Sequence, residues 1–143
     1  MAILQERDRE AVRKEFERLT GPVKLVVFSQ ELAAGDLCRQ NEQLVREVAE
    51  LTNDLVTVEV LNLAIDRDRA EAYGVDQVPA IVVEGARDYG IRFYGVPSGY
   101  EFSNLIDSII LASTGEPALS DETKASLQAL AEPVDIKVFS TPT

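Results

Sequence analysis

A single sulfur atom is the most nucleophilic group in this sequence, and its surroundings limit what it can do. Cys38 is the only cysteine, and the 143 residues include no histidine. Catalytic Ser/His/Asp and Cys/His arrangements are therefore excluded. One thiol without an imidazole is also a poor ligand set for zinc, so we expect neither a metal nor a cofactor. The chemistry to consider is that of one thiol.

The elements around Cys38 are predicted to place this thiol at the start of a helix. Residues 23–28 are rich in β-branched and aromatic side chains and follow Gly21-Pro22, which predicts a buried strand. Residues 29–35 predict a loop and residues 36–51 a helix, with Asp36 as its N-cap or a first-turn acid. The apolar side chains at helical spacing are Leu37, Leu44, Val45, Val48 and Leu51. Free N–H groups at a helix N-terminus stabilise a thiolate.

The partner sulfur of a dithiol pair is missing. Enzymes that exchange thiols and disulfides through a Cys-x-x-Cys motif carry both sulfurs at such a helix start. Here the position three residues before Cys38 is Gly35, and residues 35–38 are Gly-Asp-Leu-Cys. A glycine at this position is also consistent with a tight turn into the helix.

The other patterns predict an α/β fold. Helices are predicted over residues 4–19, 66–73 and 102–112, and strands over residues 55–61, 80–85 and 90–95. The strand–helix–strand order predicts parallel pairing of the first two strands, and the short connector 85–89 predicts an antiparallel hairpin of the last two. We therefore expect a central mixed sheet with helices on both faces.

The C-terminal part repeats the start of the chain. Residues 19–29 align without gaps to residues 130–140, with identical Leu, Pro, Phe and Ser and two identical Val positions. A helix is predicted from Ser120, as N-cap, to near residue 131, and a strand over residues 134–139. We therefore expect residues 1–114 to form one unit and residues 115–143 to open a second, incomplete one, as in a fragment or truncated descendant of a two-unit protein. The strand would expose an apolar edge, so we expect it to pack on the first unit or to exchange between two chains of a homodimer.

Charge and targeting patterns restrict the classes of partner and the cellular compartment that we expect. The chain has 14 basic and 25 acidic residues, a net charge of −11, which repels nucleic acid and anionic membranes. No apolar run approaches the ~20 residues of a membrane span. The N-terminus becomes charged too early for a signal peptide, and the single cysteine suits a reducing compartment. We therefore expect a cytoplasmic protein with neither a nucleic-acid nor a membrane partner.

The order of the elements, the thiol at a loop–helix junction and Val78-Pro79 together resemble the thioredoxin fold. Residues 22–32, 73–81 and 89–102 more closely resemble the N-terminal unit of the glutaredoxin-like protein disulfide oxidoreductases, which are tandem thioredoxin-fold proteins found in thermophiles. Residues 134–142 resemble the segment that leads into the C-terminal Cys-x-x-Cys motif of that family. The resemblance covers nearly the whole chain.

This resemblance implies a dithiol that passes electrons to and from protein or peptide disulfides in redox homeostasis. Cys38 matches the second, resolving cysteine of the motif, and Gly35 occupies the position of the first, attacking cysteine. The resemblance further implies that the Val78–Pro79 peptide bond is cis and faces the motif, which leaves the Val78 backbone free to pair with an extended peptide.

Two functions remain open on this basis. The first is a thiol–disulfide exchange unit with impaired chemistry, in which Cys38 is the residual thiol. The second is a non-catalytic peptide-binding, dimerisation or scaffold module that retains the cis-proline groove. In either case we expect little or no dithiol activity from this chain alone, because a lone sulfur cannot complete intramolecular exchange.

Overall fold

The computed structural model describes residues 1–141, and within them four strands and five α-helices follow one another in the order α-β-α-β-α-β-β-α-α. The strands are β1 (Val23–Ser29), β2 (Val56–Asn62), β3 (Ala80–Glu84) and β4 (Asp88–Tyr94). The helices are α1 (Glu6–Glu15), α2 (Glu31–Ala49), α3 (Arg67–Tyr73), α4 (Tyr100–Thr114) and α5 (Asp121–Gln128), with a 3₁₀ turn at Phe16–Arg18. The last two residues of the predicted second unit, Pro142 and Thr143, lie outside the described residues.

The strands form one mixed sheet in the order β2-β1-β3-β4. β1 and β2 are parallel and are joined through α2, as the strand–helix–strand pattern predicts. β3 pairs antiparallel with β1 and with β4, and a three-residue connector links β3 to β4. The predicted α/β architecture and the hairpin are confirmed.

Helices cover both faces of this sheet because the side chains of β1 and β3 alternate between two apolar clusters. Leu25 and Val27 belong to the larger cluster, which includes residues of α1, α2 and α4. Val26 and Phe28 point to the other face, where Ala70 of α3 covers them. All four β1 side chains are completely buried, so β1 is the centre of the fold.

The helix that carries Cys38 begins earlier than the sequence predicts. α2 starts at Glu31 rather than at Asp36, and the predicted loop is reduced to Gln30 and a break at Ala34, whose φ of −157° and ψ of 46° are not helical. Regular helix resumes at Gly35 after this break, so Asp36 is not an N-cap but lies in the first turn of that helix, as the alternative prediction of a first-turn acid has it. Leu37 is half exposed and does not join the buried stripe, although Leu44 and Val45 do.

The C-terminal prediction is correct for the helix and wrong for the strand. Ser120 caps α5 by accepting a hydrogen bond from the Thr123 N–H group at 3.1 Å, as predicted. Residues 134–139 form no strand and do not pack on the first unit, and Phe139 is 91% exposed. The physical reason is that a strand needs neighbouring strands to pair with, and the two edges of the sheet remain unpaired by this segment.

No helix within residues 1–141 is both long enough and apolar enough to cross a membrane.

Candidate functional site

Cys38 lies on the buried face of α2 and is tied to the end of β1. Its exposed fraction is 3%. The backbone N–H group of Gln30 donates to Sγ at 3.4 Å, and the thiol can donate to the Gln30 carbonyl at 3.8 Å. In space the thiol therefore lies against Gln30, the residue that follows β1. In sequence Cys38 is four positions after the break at Ala34.

Gly35 follows that break, and neither backbone conformation nor crowding requires a glycine there. Its φ lies outside the positive range that favours glycine. A Cβ atom built on Gly35 would meet the Arg39 guanidinium, with Nη1 at 3.3 Å and the other contacts near 4 Å. That guanidinium is the flexible end of an exposed side chain that pairs with Asp36. A side chain at position 35 is therefore compatible with the fold, and the tight-turn explanation for Gly35 is not supported.

The Val78–Pro79 peptide bond is cis. It lies just before β3, at the end of the sheet at which β1 finishes, near the thiol-bonded Gln30. Phe28 of β1 pairs with Ala80 of β3 in an antiparallel register. Extending this register by two residues aligns Gln30, which contacts the thiol, with Val78. Cys38, through Gln30, and the cis-proline thus both lie toward the end of β1 at which the strand finishes.

The backbone around Pro79 leaves one residue unpaired. The Pro79 carbonyl accepts a hydrogen bond from the Gly95 N–H group at 2.9 Å. Among the described residues, neither the N–H nor the C=O group of Val78 has a hydrogen-bond partner. Val78 is only partly buried, so its backbone is accessible to a strand added from outside.

Exposed apolar side chains lie at the same end of the sheet as Val78. β1, β2 and β4 run in the same direction, so the segments that follow them meet at one end of the sheet. These segments carry Leu32 at 97% exposure and Tyr100 at 89%, together with the exposed Leu37 and Ile65. We call these four residues the apolar rim. Exposed apolar side chains close to the unpaired backbone groups of Val78 are typical of a protein-binding surface.

Two ion pairs that lower the pKa of a carboxyl group involve side chains of β2, α3 and β4. A hydrogen bond from Arg92 holds the pKa of Asp88 below its usual value, against the opposing effect of burial. A hydrogen bond from Arg69 likewise lowers the pKa of Glu59. Within residues 1–141, no group of three or more His, Cys, Asp or Glu side chains is placed to hold a metal ion. These two ion pairs join Glu59 of β2 to Arg69 of α3 and Asp88 to Arg92 within β4.

Two residues of this site are not evident from the sequence pattern. Gln30 contacts the thiol through backbone atoms only, which no side-chain pattern encodes. Asn41 is completely buried one turn after Cys38, and neither atom of its amide has a partner in the described structure. Its spacing of three from Cys38 and from Leu44 places it on the buried stripe, and that spacing is the one signal in the sequence that could have placed it there.

The chain is similar in sequence to two probable thioredoxins. No family model matches the chain. A probable thioredoxin of Methanothermobacter thermautotrophicus is 33% identical over 70 residues, which is 49% of this chain and 78% of the relative. A probable thioredoxin of Methanothermobacter marburgensis is 31% identical over 88 residues, which is 62% of this chain and 96% of the relative.

Solved structures show the same fold. The AhpF protein of the Enterococcus faecalis alkylhydroperoxide reductase (C503A mutant) superposes with a TM-score of 0.79 at 24% identity and covers 89% of this chain. A protein disulfide oxidoreductase of Aeropyrum pernix superposes with a TM-score of 0.74, also at 24% identity, and covers 91% of this chain. The present chain spans 61% and 56% of those two chains.

The fold is thus that of the thioredoxins, and together with the two curated relatives it defines a protein of the thioredoxin/glutaredoxin superfamily. Within it, the chain belongs to the thioredoxin family of thiol–disulfide oxidoreductases.

Proposed function

We propose that this chain is a thioredoxin-fold unit of the protein disulfide oxidoreductase type whose exchange chemistry is impaired by the loss of the attacking sulfur. The observation that carries the proposal is the pair formed by Gly35 and Cys38. Gly35 has space for a side chain next to the break in α2, whereas the remaining sulfur is buried and bonded to Gln30. Cys38 is the residual resolving-type thiol, and position 35 is that of the lost nucleophile.

The chemistry of exchange explains the impairment. A thiolate attacks a disulfide, one S–S bond forms as the other breaks, and the leaving sulfur departs as a thiolate. A second thiolate of the enzyme then displaces the product from this mixed disulfide. Cys38 alone can complete only the first step, after losing its proton to solvent, and release needs an external thiol. We therefore expect its partners to be protein or peptide thiols and disulfides, with little or no catalytic turnover.

A turnover assay tests this proposal. Reduction of insulin disulfides by dithiothreitol is followed with the wild-type chain and with Cys38→Ser, Gly35→Cys and Gly35→Ser. We expect the wild type, Cys38→Ser and Gly35→Ser to match the uncatalysed rate, and Gly35→Cys to exceed it. Gly35→Ser is the matched control because it adds a side chain of similar size without a sulfur. Wild-type turnover that disappears in Cys38→Ser would contradict the proposal.

A second candidate function is a non-catalytic peptide-binding or scaffold module. The unpaired backbone of Val78 beside cis-Pro79 and the apolar rim favour it. An extended peptide would add backbone hydrogen bonds at Val78, and its side chains would contact the rim. A groove of about 440 Å³ next to Gln30, lined by residues that include Leu63, Arg67 and Asp76, offers room for such a segment.

Peptide binding separates the two candidates. A cysteine-free extended peptide is titrated against Cys38→Ser by calorimetry. Binding that weakens in Tyr100→Ser and not in Tyr89→Ser supports the scaffold function, since Tyr89 lies near the start of β4, at the opposite end of the sheet. Capture of peptides only through a mixed disulfide with Cys38 would support the redox function instead.

We also propose the division into a unit of residues 1–114 and the opening of a second unit from residue 115. α4 ends at Thr114, Gly115 follows in a left-handed conformation, and residues 129–141 are all exposed. Limited proteolysis should cut first between residues 115 and 141 and leave a stable core of about 1–114. Early cleavage within residues 1–114 would argue against this boundary.

A reducing, cytoplasmic compartment suits a chain whose single thiol has no disulfide partner.

Residues 134–139 are proposed to pair between two chains. Val134, Ile136 and Val138 alternate with Asp135 and Lys137, so an extended segment would have one apolar face. Sedimentation equilibrium should show a dimer that Ile136→Lys dissociates and Asp135→Lys, on the other face, does not. A wild-type monomer at high concentration would contradict dimerisation through this segment.

A further inference from the structure

The buried amide of Asn41 is an unusual feature of the core beside Cys38. Asn41 has no exposed surface, and within residues 1–141 neither its Nδ2 nor its Oδ1 atom has a hydrogen-bond partner. It lies one helical turn after Cys38 and one turn before Leu44, at the centre of the face that α2 turns toward the sheet. Buried polar atoms are nearly always paired, so this amide calls for a physical explanation.

An unpaired amide affects the closed and open forms of α2 differently. In the closed form both atoms are shielded from bulk water and have no hydrogen-bond partner among the described protein groups. If the start of α2 moves away from the sheet, water satisfies both atoms again. Asn41 therefore penalises the closed form and makes local opening more frequent than an apolar side chain at this position would.

The thiol needs such an opening in order to react. Cys38 is 3% exposed, so a disulfide cannot approach Sγ along the line that exchange requires. The segment that would have to move, residues 35–41, begins directly after the helix break at Ala34 and includes Gly35, a poor helix former. The break therefore separates residues 35–41 from the helical residues before them, and Gly35 lowers the stability of the helix within this segment.

We infer that residues 35–41 open locally to expose Cys38, and that Asn41 is a positioning residue that sets how often they open. This regulation concerns the same thiol to which the proposed function assigns residual exchange. It concerns access to the sulfur and does not require that the chain turn over a protein disulfide.

Alkylation of Cys38 by iodoacetamide tests the inference on the full chain. The reagent is small and needs no protein substrate, so the result stands even if insulin reduction shows no activity. Rates are measured at neutral pH and over a series of low urea concentrations, and each is normalised to the rate of the same chain unfolded in urea. Thermal unfolding of each variant is recorded in parallel.

Two substitutions remove the unpaired amide in different ways. Asn41→Leu replaces it with an apolar side chain of similar branching. Asn41→Thr is smaller, and its hydroxyl can donate to the carbonyl of Leu37 one turn earlier. We expect Asn41→Leu to slow alkylation at least tenfold, equivalent to about 1.4 kcal/mol, with unchanged or higher thermal stability. Asn41→Thr should slow it in the same direction, and Gln40→Leu, at an exposed neighbouring position, should leave the rate unchanged.

The urea series distinguishes local opening from complete unfolding. Local opening exposes little surface, so the wild-type rate should depend weakly on urea compared with the global transition. The inference is overturned if both Asn41 variants fold and react as fast as the wild type. It is also overturned if alkylation has the same urea dependence as global unfolding, because Cys38 would then react only from the unfolded chain.

Discussion

Replacement of Glu47 by glutamine should loosen the N-terminal segment from α2 and destabilise the protein by about 1.5–3 kcal/mol. Glu47 is 8% exposed on the helix that carries Cys38. Its carboxylate accepts hydrogen bonds from the backbone N–H groups of Ile3 at 2.8 Å and Leu4 at 2.9 Å, and from Gln43 Nε2 at 2.9 Å. The Arg9 guanidinium lies 3.7 Å away. This carboxylate thus fixes residues that precede α1 to α2.

The expected size of the effect follows from these contacts. A hydrogen bond to a charged group contributes about 1.5–3 kcal/mol. Glutamine keeps one acceptor oxygen, but its amide nitrogen would face a backbone N–H donor, so one of the two backbone bonds is lost. The exposed end of the chain can relax, and this limits the loss to about the value of that one bond.

The effect should depend on pH in a defined direction. Burial alone would raise the pKa of Glu47, but the hydrogen bonds from Leu4, Ile3 and Gln43 and the charge of Arg9 outweigh it and lower the pKa below the usual 4.5. The stabilisation is therefore fully present above pH 4.5 and is lost as the pH falls through the lower pKa of the folded state.

Urea unfolding of the wild type, Glu47→Gln and Glu50→Gln at pH 7 and at several lower pH values measures both effects. Glu50 contacts the same Arg9 at 3.7 Å from an exposed position, so Glu50→Gln should cost less than about 1 kcal/mol. The difference between wild type and Glu47→Gln should shrink only below pH 4.5. Equal losses for the two variants, or a Glu47→Gln difference that does not change with pH, would refute the reasoning.

Three further substitutions have expected outcomes in thermal and urea unfolding. Gly85→Ala places a Cβ atom 2.0 Å from the Ala112 carbonyl oxygen and should destabilise the chain by about 3 kcal/mol; normal stability would show that this contact is not fixed. Tyr73→Phe removes the 2.6 Å hydrogen bond to Glu84 and should cost about 1–2 kcal/mol, a loss that should not add fully to that of Glu84→Ala, which removes the acceptor of the same bond. Gly35→Ala should stabilise the helix by about 0.5–1 kcal/mol, and destabilisation would contradict the space found at this position.

Periodic burial was enough to predict the sheet and most helices. β1 and β3 are apolar on both faces, and α4 has apolar residues at helical spacing, because each of these elements is defined by what it buries. The hairpin followed from its short connector. The cis form of the Val78–Pro79 bond was expected only from resemblance, and the contact of the thiol with Gln30 was not predicted, because tertiary pairing brings these residues together.

The predictions that failed concern segments where local preference and tertiary context disagree. Residues 31–33 are Glu-Leu-Ala, which favour a helix, yet the glycine at position 35 suggested a loop. In the structure residues 31–33 are helical and the chain departs from helical geometry only at Ala34, so the helical preference and an interruption near Gly35 are both present. Residues 134–139 have strand composition, but strand propensity is expressed only when a neighbouring strand is present. The spacing of Asn41 indicates burial, but its unpaired amide depends on the tertiary surroundings and could not be predicted from sequence.

The central claim is that the site retains the geometry of a dithiol motif and lacks only the first sulfur. Positions 35 and 38 are three residues apart on one helix, so a sulfur at position 35 would lie beside Cys38. Titration of free thiols in oxidised and reduced Gly35→Cys, with Gly35→Ser as control, tests this directly. We expect a reversible intramolecular disulfide in a monomer of Gly35→Cys and one free thiol in Gly35→Ser. Two thiols that stay free under oxidant, or that join only different chains, would contradict it.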